Sequence, residues 1–343
     1  MNITFLIGNG FDLNIGKKTS YYDFYKYYKA QPSENEIIRR LKNDLIINYE
    51  NWSDLELGLG EYTENLKDLT EFDTVFNDIR SNLSDFIKKQ EYDSNEISIN
   101  TTSKCYEDLL HPEIYLVRGD RSSVERARLS FISPNNTTIN IITFNYSKSL
   151  EQILKYENKP IDIVNHPGCK IQNIYHIHGF YNERMILGVN DASQIKNEKF
   201  KINAEIAETL IKQELNKNLK HLIDQECIET IERSDIICLF GLSMGETDKI
   251  WWEYIGKKIA KTGGHLILFH KGKELAENMD IFFPREERKI KNTFIKKANI
   301  SNEEIEKVSN RIYIGYNTDI FKFDDQEKMN ELILSEIMNS TSI

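Results

Sequence analysis

Three things are missing from this sequence of 343 residues, and each absence removes a class of protein. Long apolar runs are missing: none approaches the roughly 18 residues that a bilayer-spanning helix requires. The first residues enter an apolar run directly, with neither a basic region nor a small-residue cleavage site. A cytoplasmic chain without a membrane partner is expected. Paired cysteines are missing as well. Cys105, Cys169, Cys227 and Cys238 are scattered without Cys-x-x-Cys spacing, so neither a disulfide framework nor a structural zinc site is indicated, and buried thiols are the expectation. Finally, there is no excess of basic residues. A formal charge of −10 opposes a general nucleic-acid role, because phosphate binding draws on clustered Lys and Arg.

What is present suits a globular protein: 40% hydrophobic and 29% charged residues supply both a core and a solvated surface. Short apolar runs recur at 3–8, 139–144, 174–178, 185–189, 235–240 and 265–270, with helical patterns between several of them. That alternation predicts an α/β fold, a Rossmann-like parallel sheet with helices on both faces. Arg311–Gly315 is also strand-like, and the rest of 275–343 reads as helices against the sheet. The stretch 35–130 carries helix-period stripes through Ile37, Ile38, Leu41 and Leu45, and through Phe72, Val75, Phe76, Ile79, Leu83 and Phe86. A crossover needs only about a dozen residues, so 35–130 is expected to be a helical insertion, a lid or an oligomer contact, within a domain built from 1–34 and 131–343. Residues 203–233 form another stripe, expected to pack on the sheet, and the polar segment 92–104 reads as a surface loop.

The candidate chemistry sits where strands should end. After the first run comes Gly8-Asn9-Gly10-Phe11-Asp12. Gly10 and Gly16 enclose five residues and Lys17 precedes Lys18, so this is not a P-loop. Gly8 and Gly10 match the start of a dinucleotide fingerprint whose third glycine is Leu13 here. Two glycines directly after a strand bring backbone N–H groups close to a pyrophosphate, or form a plain turn. Asn145 closes Ile-Ile-Thr-Phe-Asn, where its amide would hold a water or a ribose hydroxyl, or cap the helix beginning near Ser147. In Tyr-His-Ile-His-Gly, strand alternation sends His176 and His178 to opposite faces, which makes a shared metal a poor reading. His178, beside Gly179, is the better candidate base. Gly241-Leu-Ser243-Met-Gly245 follows another strand and offers backbone and hydroxyl groups to a phosphate or ribose. It also satisfies Gly-x-Ser-x-Gly, so a serine hydrolase with Ser243, and His178 or His265 as base, stands as a rival. The usual order in that fold, with His after Ser, and the position of His265 at a strand start count against it. In a parallel sheet all these strand ends share one rim.

Taken together, Ile-Gly-Asn-Gly-Phe-Asp-Leu with Thr19, Tyr21 and Phe24, Trp52-Ser-Asp-Leu-Glu56, Phe144-Asn-Tyr146, His176-Ile-His-Gly179, Leu187-Gly-Val-Asn-Asp191 and Gly241 through Asp248 resemble the bacterial AbiH abortive-infection family. The resemblance runs to about residue 255. That family is in turn similar in motif order to sirtuin-like NAD-binding domains: a Gly-x-Gly loop, an Asn after a strand, a His before Gly and a late Gly-x-Ser. The resemblance implies cleavage of NAD, with Asn145 orienting the ribose or attacking water and His178 as base. Gly8, Asn9, Gly10, Phe11, Asp12, Gly241, Ser243 and Asp248 would hold the dinucleotide. Sirtuins commonly place an acid two residues after the Asn; here that residue is Ser147, and Asp12 or Asp248 is the replacement. Their four-cysteine zinc module has no counterpart, which favours water as acceptor and no metal. A nucleotide-binding sensor or scaffold without catalysis is the alternative. A defence role of this kind implies that activity is normally restrained, and it leaves open a homo-oligomer and a phage-derived activator or partner protein.

Overall fold

A computed structural model describes residues 1–91, 97–130, 136–273 and 283–323. Its frame is a seven-stranded sheet in the order β3-β4-β2-β1-β5-β6-β7. The strands are β1 (Asn2–Ile7), β2 (Thr138–Thr143), β3 (Ile161–Asp162), β4 (Lys170–His176), β5 (Ile236–Phe240), β6 (His265–His270) and β7 (Ile312–Tyr316). All neighbours pair in parallel except the short edge strand β3, which is antiparallel to β4. This is the α/β architecture that the alternating runs predict.

The strands read as continuous apolar runs because both faces are covered. On one face Ile3, Phe5, Ile7, Ile139, Ile141, Ile171 and Cys238 pack against α1 (Gly10–Asn14), α6 (Ile99–Leu110), α7 (Arg118–Leu129) and α8 (Ser149–Leu154). On the other, Leu6, Ile142, Ile237, Leu239 and Leu268 pack against α12 (Ile223–Glu232), α13 (Lys249–Lys261), α14 (Phe283–Lys297) and α15 (Ile305–Ser309). Each such Ile, Leu or Phe contributes about 1.5–3 kcal/mol on burial. Thr4 is a polar exception, buried at 0% exposure, and its hydroxyl accepts from Ser234 Oγ at 2.6 Å.

A third core lies in a helical block: α2 (Tyr21–Ala30), α3 (Glu36–Ile47), α4 (Leu55–Tyr62) and α5 (Leu69–Lys88), joined by α9 (Glu198–Lys201) and α10 (Ala204–Leu210). The longest, α5, starts where the Asp68 side chain accepts from Glu71 N–H, satisfying an N-terminal donor. Phe72, Val75, Ile79, Leu83 and Phe86 then recur at helical spacing on its buried face. Tyr146, Met185, Leu187 and Val189 belong to the same cluster. They follow β2 and β4 in the chain, so the block is packed at the carboxyl end of the sheet.

Several expectations require correction. Residues 185–189 form no strand; they are buried, with one isolated bridge from Val189 to Ile211, and Met185, Leu187 and Val189 serve the helical block. Strand β4 stops at His176, so His178 lies in the turn beyond it. The 92–104 loop is largely helix from Ile99 onward, capped by the Ser98 side chain on Thr101 N–H; 92–96 lie outside the described residues. The stripe at 203–233 is broken into α10, α11 (Lys212–Asn218) and α12, and only the last packs on the sheet core. In the tail, 283–323 supply α14, α15 and β7, while 275–282 and 324–343 lie outside the described residues.

Candidate functional site

The register fixes which residues share a rim. Ile7 pairs with Thr143 and with Phe240, and Thr143 pairs with His176. The residues just beyond, Gly8, Phe144-Asn145, Ile177-His178 and Gly241, therefore emerge side by side at the carboxyl edge, with β1 at the centre and the chain turning left to β2 and right to β5. This is the switch point where open α/β sheets bind ligands.

The glycine loop uses its N–H groups differently from the sequence expectation. Gly8 N–H donates to Phe240 O and Gly10 N–H to Gly241 O, both at 2.9 Å, so neither faces a pyrophosphate. A Cβ on Gly10 would sit 2.4 Å from Gly241 Cα, and Gly241 has φ +68°. The glycines let two loops touch backbone to backbone. Asn9 is turned to Thr19, donating to its carbonyl at 2.9 Å and accepting from its hydroxyl at 2.6 Å. Phe11 is wholly buried, edge-on to Phe240 and Phe321, and is a core residue rather than a ligand contact.

Asn145 is 6% exposed, and neither its Oδ1 nor its Nδ2 has a hydrogen-bond partner among the described residues. Helix α8 begins after Lys148 without a side-chain cap, so the capping role does not apply. A buried amide with all its valences unmet is expensive to keep, and it is suited to a ligand or water that supplies both a donor and an acceptor.

The two histidines flank this residue. The Nδ1 of His176 lies 3.0 Å from Asn145 O and its Nε2 2.5 Å from Glu151 Oε1. The ring of His178 packs edge-on to Phe144, with centroids 5.4 Å apart, and tilts against Tyr146 at 6.1 Å. Its Nε2 meets Asp248 Oδ1 at 3.1 Å. That oxygen also accepts from Lys212 Nζ at 2.8 Å, Lys212 Nζ donates to Glu56 Oε2 at 2.7 Å, and Glu56 Oε1 accepts Gly188 N–H at 3.1 Å. Burial pushes the Asp248 carboxyl up, but Lys212 and His178 beside it hold it well below the usual carboxylate range. Burial raises the Glu56 carboxyl despite Lys212 and His178. For Lys212, burial works against the ammonium while Asp248 and Glu56 lift its pKa above the ordinary value.

On the other side, Asp12 Oδ2 accepts from Ser147 Oγ at 2.6 Å, and Ser147 Oγ lies 3.0 Å from Ser149 Oγ. Asp12 Oδ1 has no described partner. Burial raises its carboxyl, opposed by the two serines, Lys17 and His176. Asp12 therefore stands beside Ser147, whereas Asp248 stands beside His178.

Ser243 is exposed and makes no described hydrogen bond to a histidine. The left-handed backbone falls on Met244, φ +53°, rather than on the serine. His178 Nε2 is engaged by Asp248, and His265 opens β6 at the opposite edge, its Nδ1 3.1 Å from Tyr313 OH. Neither histidine makes a described contact with Ser243, so the hydrolase reading lacks the link from nucleophile to base. Among the described residues, no three His, Cys, Asp or Glu side chains converge to hold a metal ion, and no helix is long and apolar enough to cross a membrane.

Two cavities open elsewhere. One of about 470 Å³ is lined by Asn190, Ile211, Gln213, Lys249 and Ile250, the chain neighbours of Lys212 and Asp248 among them. The other, about 620 Å³, is lined by His111, Arg128, Thr137, His166 and Cys169, near the amino ends of β2 and β4. Neither is lined by Gly8, Asn145 or His178.

Glu56 and Lys212 are functional candidates that motif reasoning gave no role. Glu56 closes Trp52-Ser-Asp-Leu-Glu56; Lys212 sits in an ordinary amphipathic stripe, and nothing local marks it. The sequence model of the family described as Bacteriophage abortive infection AbiH matches residues 4–270, which includes every residue discussed above from Gly8 to Asp248. No curated protein matches the chain.

Proposed function

We propose, because this chain belongs to the AbiH family of bacteriophage abortive infection proteins, that it acts in that defence by hydrolysing NAD at the nicotinamide N-glycosidic bond. One observation carries this reading: the buried, unpartnered amide of Asn145 lies in the chain between Phe144 and Tyr146, whose rings both contact His178. The rim thereby carries a group that would hold a ribose hydroxyl or a water and, against the two aromatic residues flanking it in the chain, a base oriented by a carboxylate. The bond from C1′ to the pyridinium nitrogen breaks with its electron pair leaving on nicotinamide. Water forms the new C1′–O bond and gives its proton to His178. Asp12, presented by Ser147, and Asp248 supply negative charge on the two sides of the rim where a cationic C1′ centre develops.

Nicotinamide release from NAD by the purified full chain, with and without lysate of phage-infected cells, tests the proposal. Release under either condition supports it, and retention of NAD intact under both removes it.

A second reading, a nucleotide sensor that binds without cleaving, is favoured by two observations. The N–H groups of Gly8 and Gly10 are spent on Phe240 and Gly241, and the helical block packs at the rim. Saturable NAD binding without nicotinamide release is its signature.

A further inference from the structure

The ion chain behind His178 draws on four distant segments: Glu56 in α4, His178 in the β4 turn, Lys212 opening α11, and Asp248 in the turn before α13. The Lys212 and Glu56 side chains are each 5% exposed, and burying three charges together is unfavourable unless geometry and hydrogen bonds repay the lost hydration. Here the geometry is tight. Backbone bonds from Val189 N–H to Leu210 O at 2.8 Å and from Lys212 N–H to Val189 O at 3.1 Å pin the base of the lysine.

A carboxylate only accepts hydrogen bonds. Asp248, kept ionised by the ammonium 2.8 Å away, therefore requires that the neutral His178 ring carry its proton on Nε2. Its Nδ1, which has no described partner, is then the nitrogen with the free lone pair. Aromatic packing from Phe144 and Tyr146 restricts the ring. The remaining charged group near it, Asp224 of α12, is occupied in accepting from Asn216 Nδ2 at 3.0 Å.

We propose that Lys212 and Glu56 are positioning residues that lock His178 in the Nε2–H tautomer through Asp248, making Nδ1 the proton acceptor, and that together they make this lock depend on docking of the helical block. The inference rests on reading His178 as the base. When water attacks, its O–H bond breaks towards Nδ1, and the resulting imidazolium is stabilised by the Asp248 carboxylate. An orienting carboxylate of this kind sets which tautomer is present and which nitrogen reacts. Glu56 lies in the block, and the Val189 and Leu210 backbone that pins Lys212 belongs to the same buried cluster, so moving the block away takes the ammonium and its second anion from Asp248 at the rim.

The test is ring ¹⁵N NMR on the full chain with labelled histidine, assigning His178 by its loss in His178→Gln, together with kcat and KM for NAD. The expected parent spectrum shows the neutral His178 ring as a single Nε2–H tautomer. Lys212→Met is expected to mix the tautomers and to lower kcat at least tenfold with KM little changed; Glu56→Gln, which keeps shape and removes charge, does the same to a smaller extent. A parent ring protonated on Nδ1 overturns the proposal, as does an unaltered tautomer and kcat in both folded variants. Because the parent spectrum needs no substitution, a variant that fails to fold does not shield the idea. An Nε2–H ring that mixes tautomers in Lys212→Met, in a protein that never releases nicotinamide, upholds the lock and defeats the NAD-cleavage reading.

Discussion

His176 and His178 stand two residues apart and are almost equally buried, yet the protein treats them oppositely. Both ring nitrogens of His176 are engaged, one by the Asn145 carbonyl and one by Glu151, so the ring clamps the β2 loop, α8 and β4 together. His178 spends one nitrogen on Asp248, and the other has no described partner. A histidine with both nitrogens committed holds structure; one with a single oriented nitrogen is equipped for proton transfer. Burial by itself does not separate the two cases, and the count of hydrogen bonds does.

The largest effect that tests this contrast is on catalysis. His178→Ala is expected to lower nicotinamide release by about 10²–10⁴-fold, or about 3–5 kcal/mol of barrier, with a smaller loss of stability than His176→Ala shows. His176→Ala is expected to do the reverse in kind, losing about 3–5 kcal/mol of stability as a buried pair is broken, measured by urea unfolding. Equal stability losses in both would erase the distinction. Next in size is Gly241→Ala. A Cβ there lies 2.7 Å from Gly10 Cα at a φ of +68°, so a destabilisation of about 1–3 kcal/mol is expected, and the His178 side of the rim should lose order before the His176 side does.

The acid limb offers a smaller effect. The Asp248 carboxyl lies lower in the folded chain than its ordinary value of 3.8, so its stabilisation is complete above the ordinary carboxylate range. It is lost as pH falls from there towards the lower folded value. Glu56 has the opposite sign: its raised carboxyl favours the folded state at low pH and weakens it as pH climbs. Urea midpoints from pH 7 to pH 3 should therefore fall less steeply in Asp248→Asn than in the parent. The smallest effect belongs to Ser243→Ala, exposed and without a base: stability within about 0.5 kcal/mol of the parent and activity within twofold. Loss of all activity would reinstate the serine.

Much of the fold is legible in the sequence. The strands are readable because a sheet covered on both faces needs apolar runs, as in Phe5–Ile7 and Ile236–Phe240. The rim followed from where those runs ended. Residues 185–189 misled for the same reason, being equally apolar but buried against helices. The segment 99–104 hid its helix behind Asn and Thr, which are poor helix formers unless tertiary packing overrides them. Lys212 and Glu56 were out of reach on physical grounds: their partnership spans 156 residues, and a single salt bridge across the fold leaves no periodicity in either segment. The Gly10–Gly241 contact is likewise a property of two loops, visible in neither alone.

The central place of β1 has a consequence for how the chain comes into being. Its backbone is bridged to residues 233 positions later, Asn2 N–H to the Asp235 carboxylate, and one of its two neighbours is β5. At synthesis rates of about 5–20 residues per second, the first strand waits roughly 12–47 s for that neighbour to be made. A polypeptide that stops short of residue 241 has therefore not yet made the second half of its own switch point.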